Sequence, residues 1–239
     1  MDACQLQLAI LYNADHVNII QLLGSEHKSG FFHFFLEYVP GGTLTNCIQL
    51  HGNLEEETTK FFLRQILAGL EYLHTNDVIH GNLQAEHILI TDTGVCKITG
   101  FGLARHITID DYASIPLENF VFWMAPELPP EYKKDYDNRI DTWSIGCVVH
   151  ELWTGQPPWQ CTGLGPMSVL RQLYFSRQTP PLPDTILVSL LAGDFRNRCF
   201  LAEPGERPSA ELLMKHPYLT LTPGWQFKGF SADPEPDVR

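Results

Sequence analysis

The sequence predicts an α+β fold in which a small, strand-bearing N-terminal part precedes a mainly helical body. Three observations predict it. The 239 residues are 44% apolar, enough to bury a substantial core. The strand-like runs, residues 31–39, 88–90 and 95–98, all fall in the first hundred positions. Beyond Phe101 the pattern is almost all helix and loop.

Taken in order, residues 31–39 (FFHFFLEYV) are short and aromatic and read as a buried strand that Pro40, Gly41 and Gly42 end as a turn. Asn53 can N-cap a helix with Glu56 three places on, and Glu55, Glu56 and Glu57 suit the positive end of its dipole. Phe62, Ile66, Leu70 and Leu73 then recur at helical spacing, so that helix runs to about Thr75. Residues 88–90 and 95–98 bracket Thr91, Asp92, Thr93 and Gly94, which reads as a hairpin. Further helices are expected at 141–154, stopped by Gly155, at 167–176, at 189–200, and at 209–215 behind Pro208. No internal repeat appears, and residues 231–239, with Pro234 and Pro236, read as a solvated tail.

Composition excludes several classes of function. Net charge is −12 with 16 Lys and Arg and no basic cluster, which disfavours nucleic acid and anionic membrane as partners. No apolar run approaches the roughly 18 residues that span a bilayer, and the start lacks the basic flank of a signal peptide, so the expected location is intracellular, in the cytoplasm. The six Cys contain no C-x-x-C pair and read as buried or free thiols.

The chemistry concentrates in His80-Gly81-Asn82-Leu83-Gln84-Ala85-Glu86-His87 and in Gly100-Phe101-Gly102. With them, in register, stand Phe122-Trp123-Met124-Ala125-Pro126-Glu127, Asp141-Thr142-Trp143-Ser144-Ile145-Gly146 and Glu206-Arg207-Pro208-Ser209. This order of motifs resembles the Ser/Thr protein kinase domain. Leu36-Glu37-Tyr38-Val39-Pro40-Gly41-Gly42, Val95-Cys96-Lys97-Ile98 and Lys215-His216-Pro217-Tyr218-Leu219 are most similar to fungal MAP kinase kinase kinases of the cell-wall-integrity type. The resemblance implies a kinase-like fold divided into residues 1–42, an N-lobe remnant of helix C, two strands and hinge; residues 43–221, a C-lobe; and residues 222–239, a tail.

It also implies which residues should carry the reaction, and nearly all are replaced. The catalytic loop of the family reads H-R-D-L-x-x-x-N with Lys two places after the Asp, and a D-F-G motif follows. The base Asp falls on Asn82, the Lys on Gln84, the metal-binding Asn on His87 and the D-F-G Asp on Gly100. The Arg of H-R-D falls on Gly81, the activation-segment Ser or Thr on Phe120, and the helix C Glu on Gln7. The Gly-rich loop and the strand lysine have no counterpart in the chain. A carboxylate must accept the hydroxyl proton and hard oxygen ligands must hold Mg²⁺, roles that a neutral amide, an imidazole and a glycine fill poorly at these positions. Binding of ATP with Mg²⁺ is therefore expected to be weak or absent and no cofactor is expected, with Leu36, Glu37, Val39 and Leu89 left as an adenine-site remnant. His80 and His87, with Cys96 nearby, suggest a metal site, but isolated histidines in such a loop more often pack and hydrogen-bond.

Packing positions are retained. Leu11, Leu22, His80 and Phe101 match the family's stacked spine, Asp141 can anchor it, and Glu127 and Arg207 match an ion pair that braces the C-lobe. Three readings follow: a catalytically impaired kinase domain that binds protein partners in a MAP kinase cascade, a Ser/Thr kinase that retains ATP-dependent phosphoryl transfer, or a gene remnant that has drifted. The aromatic strand would leave an unpaired sheet edge for a partner to complete.

Overall fold

The computed structural model describes residues 3–101, 105–106, 120–128 and 136–230. Gly102 and the expected solvated tail, residues 231–239, lie outside them.

The chain opens with α1 (Ala3–Asn13), which buries Ile10 and Leu11. A hairpin follows, β1 (Leu22–Lys28) with β2 (Phe31–Leu36), antiparallel from Leu22 opposite Leu36 to Lys28 opposite Phe31. Its two-residue turn, Ser29 and Gly30, has φ of 53° and 81°, the doubly positive pair that matches the twist of the flanking strands. The strand is where the sequence places it, but it is not buried. Phe31 is 70% exposed and Phe35 53%; among the described residues β2 pairs only with β1, in a two-stranded sheet that leaves this face uncovered. An apolar run signals two-sided burial only when neighbours cover both faces.

The helical body begins with α2 (Leu44–His51), which the sequence reading misses. Thr43 caps it: its side chain accepts from the N–H of Asn46, and the Asn46 side chain accepts from the N–H of Thr43. This is a capping box with Asn in place of the Glu or Gln usually sought. The next helix, α3 (Glu56–Thr75), ends at the expected residue but is not capped by Asn53; Glu55 holds the cap position with no side-chain bond. The Leu54 N–H donates to the Leu152 carbonyl at 2.9 Å, which ties this part of the chain to the neighbouring helix before α3 begins. Phe62, Leu63, Ile66, Leu67, Leu70 and Leu73 form its fully buried stripe.

Between α3 and the rest lie β3 (Val78–Ile79), the hairpin β4 (Ile88–Ile90) with β5 (Cys96–Ile98), and β6 (Arg105–His106), which pairs with β3. α4 (Arg139–Thr154) is buried from Ile140 to Trp153 and stops at Gly155, whose φ of 71° suits a glycine. α5 (Pro166–Ser176), α6 (Leu190–Cys199) and α7 (Ala210–Met214) complete the body, the last two capped by Ser189 and Ser209. Helices far outweigh the two-stranded sheets, in keeping with the α+β class. Among the described residues, no helix is long and apolar enough to cross a membrane.

Candidate active-site cleft

The loop from His80 to His87 is held from below by two carboxylates of α4. Asp141 is fully buried; its Oδ2 accepts the N–H of His80 at 2.9 Å and its Oδ1 the N–H of Gly81 at 2.8 Å. His74 of α3 adds a contact from Nε2 to Oδ2 at 2.9 Å. Burial alone would raise the Asp141 carboxyl, but the hydrogen bond and charge of His74, with His80 and the Gly81 amide, leave it below the usual carboxylate range. Glu151, nearly three turns further along, is not singled out by the sequence reading. Its Oε2 accepts the N–H of Ala85 at 3.1 Å and the indole N–H of Trp123 at 3.0 Å. Burial pushes its carboxyl up to about 7 despite both donors, with Glu86 adding to the rise. The available signal was a lone carboxylate in residues 142–154, a run of α4 with no other acidic residue, Lys or Arg.

His80 is a packed residue. It is fully buried, its Nε2 lies 2.8 Å from the Thr99 carbonyl, and its ring stands 5.2 Å from that of Phe101. Burial pulls its pKa down to about 4, so the ring is neutral at ordinary pH. Leu11 and Phe101 are buried in the same apolar core, and Leu22 packs half-buried against it.

The positions that should react are brought together, but their contacts are with one another. The Asn82 side chain accepts from Gln84 Nε2 at 3.0 Å, and the Asn82 carbonyl lies 2.7 Å from Nδ1 of His87. Gly100, with φ of 80°, faces the His87 ring so closely that a Cβ built there would lie 2.4 Å from its Cγ. The imidazole therefore fills the ground on which a carboxylate at position 100 would stand. Mg²⁺ takes near-octahedral oxygen ligands, and neither His87 nor Gly100 offers a side-chain oxygen, so these residues do not fit the ion. Among the described residues no cluster of three or more His, Cys, Asp or Glu could hold a metal. Among the described residues, a small cavity beside Asn82 and Gly81, walled by Phe120, Trp123, Met124 and Ile140, measures about 10 Å³, the room of one water. Phe120 itself is buried among Val121, Met124 and Trp143. Gln7 is half-buried on α1.

On the hinge side, Leu36 is 36% exposed and Val39 buried. The Glu37 N–H donates to the Gln21 carbonyl at 3.0 Å. The Glu37 side chain accepts from the N–H of Gln21 at 2.9 Å and pairs with Lys97 at 2.7 Å. Leu89 is half-buried on β4, opposite Lys97. Far below, Arg207 meets Glu127 through two bonds, Nη1 to Oε1 at 2.7 Å and Nη2 to Oε2 at 3.1 Å. It also donates to the carbonyls of Arg139 and Leu201 and lies over the Trp143 ring.

Comparison with known proteins shows the family to which this fold belongs. The chain is 36% identical over 232 residues to MAP kinase kinase kinase mkh1 of Schizosaccharomyces pombe, covering 95% of this chain and 21% of that protein. It is 35% identical over 232 residues to Serine/threonine-protein kinase BCK1/SLK1/SSP31 of Saccharomyces cerevisiae, covering 95% and 15%. It is 35% identical over 220 residues to Mitogen-activated protein kinase kinase kinase 5 of Arabidopsis thaliana, covering 89% and 30%. The chain thus spans less than a third of the length of these relatives. Residues 3–219 match the protein kinase domain, and the chain belongs to the protein kinase family.

Proposed function

We propose that this chain is a pseudokinase: a kinase-like domain that binds protein partners in a cytoplasmic MAP kinase cascade and does not transfer phosphate. The observation that carries the reading is the pairing of His87 with Gly100, in which an imidazole occupies the ground the metal-binding carboxylate would need. Asn82 cannot accept the hydroxyl proton, and its amide is engaged with Gln84. Losing the base alone typically costs about 10²–10⁴ in rate, from a family that turns over at about 1–100 per second. The names of the relatives support the cascade, and the exposed β1–β2 hairpin supports a protein partner at that sheet edge. They also favour a second reading, a MAP kinase kinase kinase that phosphorylates Ser or Thr.

Melting the protein with ATP, with and without Mg²⁺, separates the two. The pseudokinase reading expects no Mg²⁺-dependent rise in Tm and no phosphate transfer to a generic Ser/Thr substrate. A Mg²⁺-dependent rise, with transfer abolished by a bulky change at Leu89, would establish the enzyme.

A further inference from the structure

Beyond α7 the chain turns back across the body. The Thr222 N–H donates to Glu57 of α3 at 2.9 Å, and the next residues lay three aromatic rings in a groove between α2, α3 and the β4–β5 turn. Trp225 meets Phe61 at 5.6 Å, Phe227 stacks on Phe61 at 5.4 Å and stands edge-on to Phe62 at 5.4 Å, and Phe230 stacks on His51 at 4.8 Å. Phe227 sits so tightly on the β4–β5 turn that a Cβ on Gly94 would lie 2.4 Å from its ring. Trp225 and Phe227 are half-buried and alternate with exposed Gln226 and Lys228, the habit of an extended peptide that reads a groove with every second side chain.

Two features make this segment separable from the body. Gly224, with φ of 83°, lies in the turn closed by the Trp225 N–H on the Thr222 carbonyl, and a Cβ there would meet nothing within 4 Å, so the turn that leads into the segment is free of packing. The seating contacts are rings resting on rings rather than a strand ladder, with Trp225, Phe227 and Phe230 themselves only half-buried.

We propose that residues 225–230 are a peptide ligand bound in cis, occupying a docking groove of the kinase body that accepts extended segments with the spacing aromatic-x-aromatic-x-x-aromatic. The tethered copy has an effective concentration of about a millimolar and keeps weaker free peptides out. Emptied, the groove is a site where another protein's segment of the same pattern docks.

The test uses the full chain and a fluorescent peptide of residues 222–230, followed by anisotropy. The Trp225→Ala, Phe227→Ala double variant should bind the peptide at least about tenfold more tightly than the unaltered protein, whose groove is filled. Phe230→Ala, which keeps two of the three anchors and so keeps the fold, should fall between them. A peptide with alanine at 225 and 227 should bind none of the three. Equal affinity for the unaltered protein and Phe230→Ala, or no binding to the folded double variant, overturns the proposal. Should the double variant fail to fold, the comparison with Phe230→Ala decides alone.

Discussion

The ring of His87 and the bare α-carbon of Gly100 fit each other as a pair: the imidazole, turned by its bond to the Asn82 carbonyl, lies in the space a side chain at 100 would fill. Restoring one member without the other should therefore fail. Gly100→Asp is expected to lower stability by about 1–3 kcal/mol through overpacking, and His87→Asn should recover part of that loss in the double variant. Urea midpoints of the four proteins measure the coupling; additive effects would mean that the ring moves aside freely.

A second expectation concerns the ion pair at the base. With Arg207 essentially inaccessible and Glu127 bound to it twice, Glu127→Ala leaves a guanidinium buried without its counter-charge and should cost about 3–5 kcal/mol. Chemical denaturation reads it. A loss under 1 kcal/mol would show that the carbonyls of Arg139 and Leu201 satisfy Arg207 by themselves.

The Glu151 carboxyl gives a pH signature. Its pKa rises from 4.5 unfolded to about 7 folded, so the folded state holds more protons in that window and Glu151 removes up to about 3 kcal/mol of stability as pH climbs through it. His80 and His150 act oppositely. Both are drawn by burial from 6.5 to about 4, so they add stability as pH rises from 4 to 6.5. The unaltered protein should thus gain in Tm from pH 4 to 6.5, while the advantage of Glu151→Gln over it grows from pH 4.5 to 7. A difference that stays flat with pH would place the Glu151 titration at its unfolded value.

Local stability should be uneven. α4 is covered on every side, whereas the β1–β2 hairpin is two strands with one face half-buried, a unit of marginal stability alone. Amides of α4 should exchange slowly and those of β2 quickly in the isolated monomer. Equal protection would show that the hairpin draws its stability from α1 and the core.

Much of this was legible in the sequence. The stripe of α3, the Gly155 stop of α4 and the starts of α6 and α7 are local signals, and each lies within a residue or so of where spacing and stop signals put it. The errors arose where a distant partner intervened. Leu54 is tied to Leu152, so Asn53 loses its cap, and among the described residues β2 pairs with β1 alone, so Phe31 and Phe35 face solvent. At the cleft the substituted residue types could be read directly. That His87 occupies the room vacated at Gly100, and that Glu151 supports the Ala85 amide, depends on contacts across 13 and 66 positions that no local pattern encodes.

The loop from His80 to Ala85 is fastened mainly by its backbone: Asp141 takes the amides of 80 and 81, and Glu151 takes the amide of 85. The side chains at 82 and 84 play no part in those three bonds. Replacing either side chain thus leaves the three anchors in place as long as Asp141 and Glu151 are kept. Reactivity and architecture are stored in separate letters of this chain, and a laboratory library randomised at 82 and 84 should yield mostly folded proteins, whereas one randomised at 141 should not.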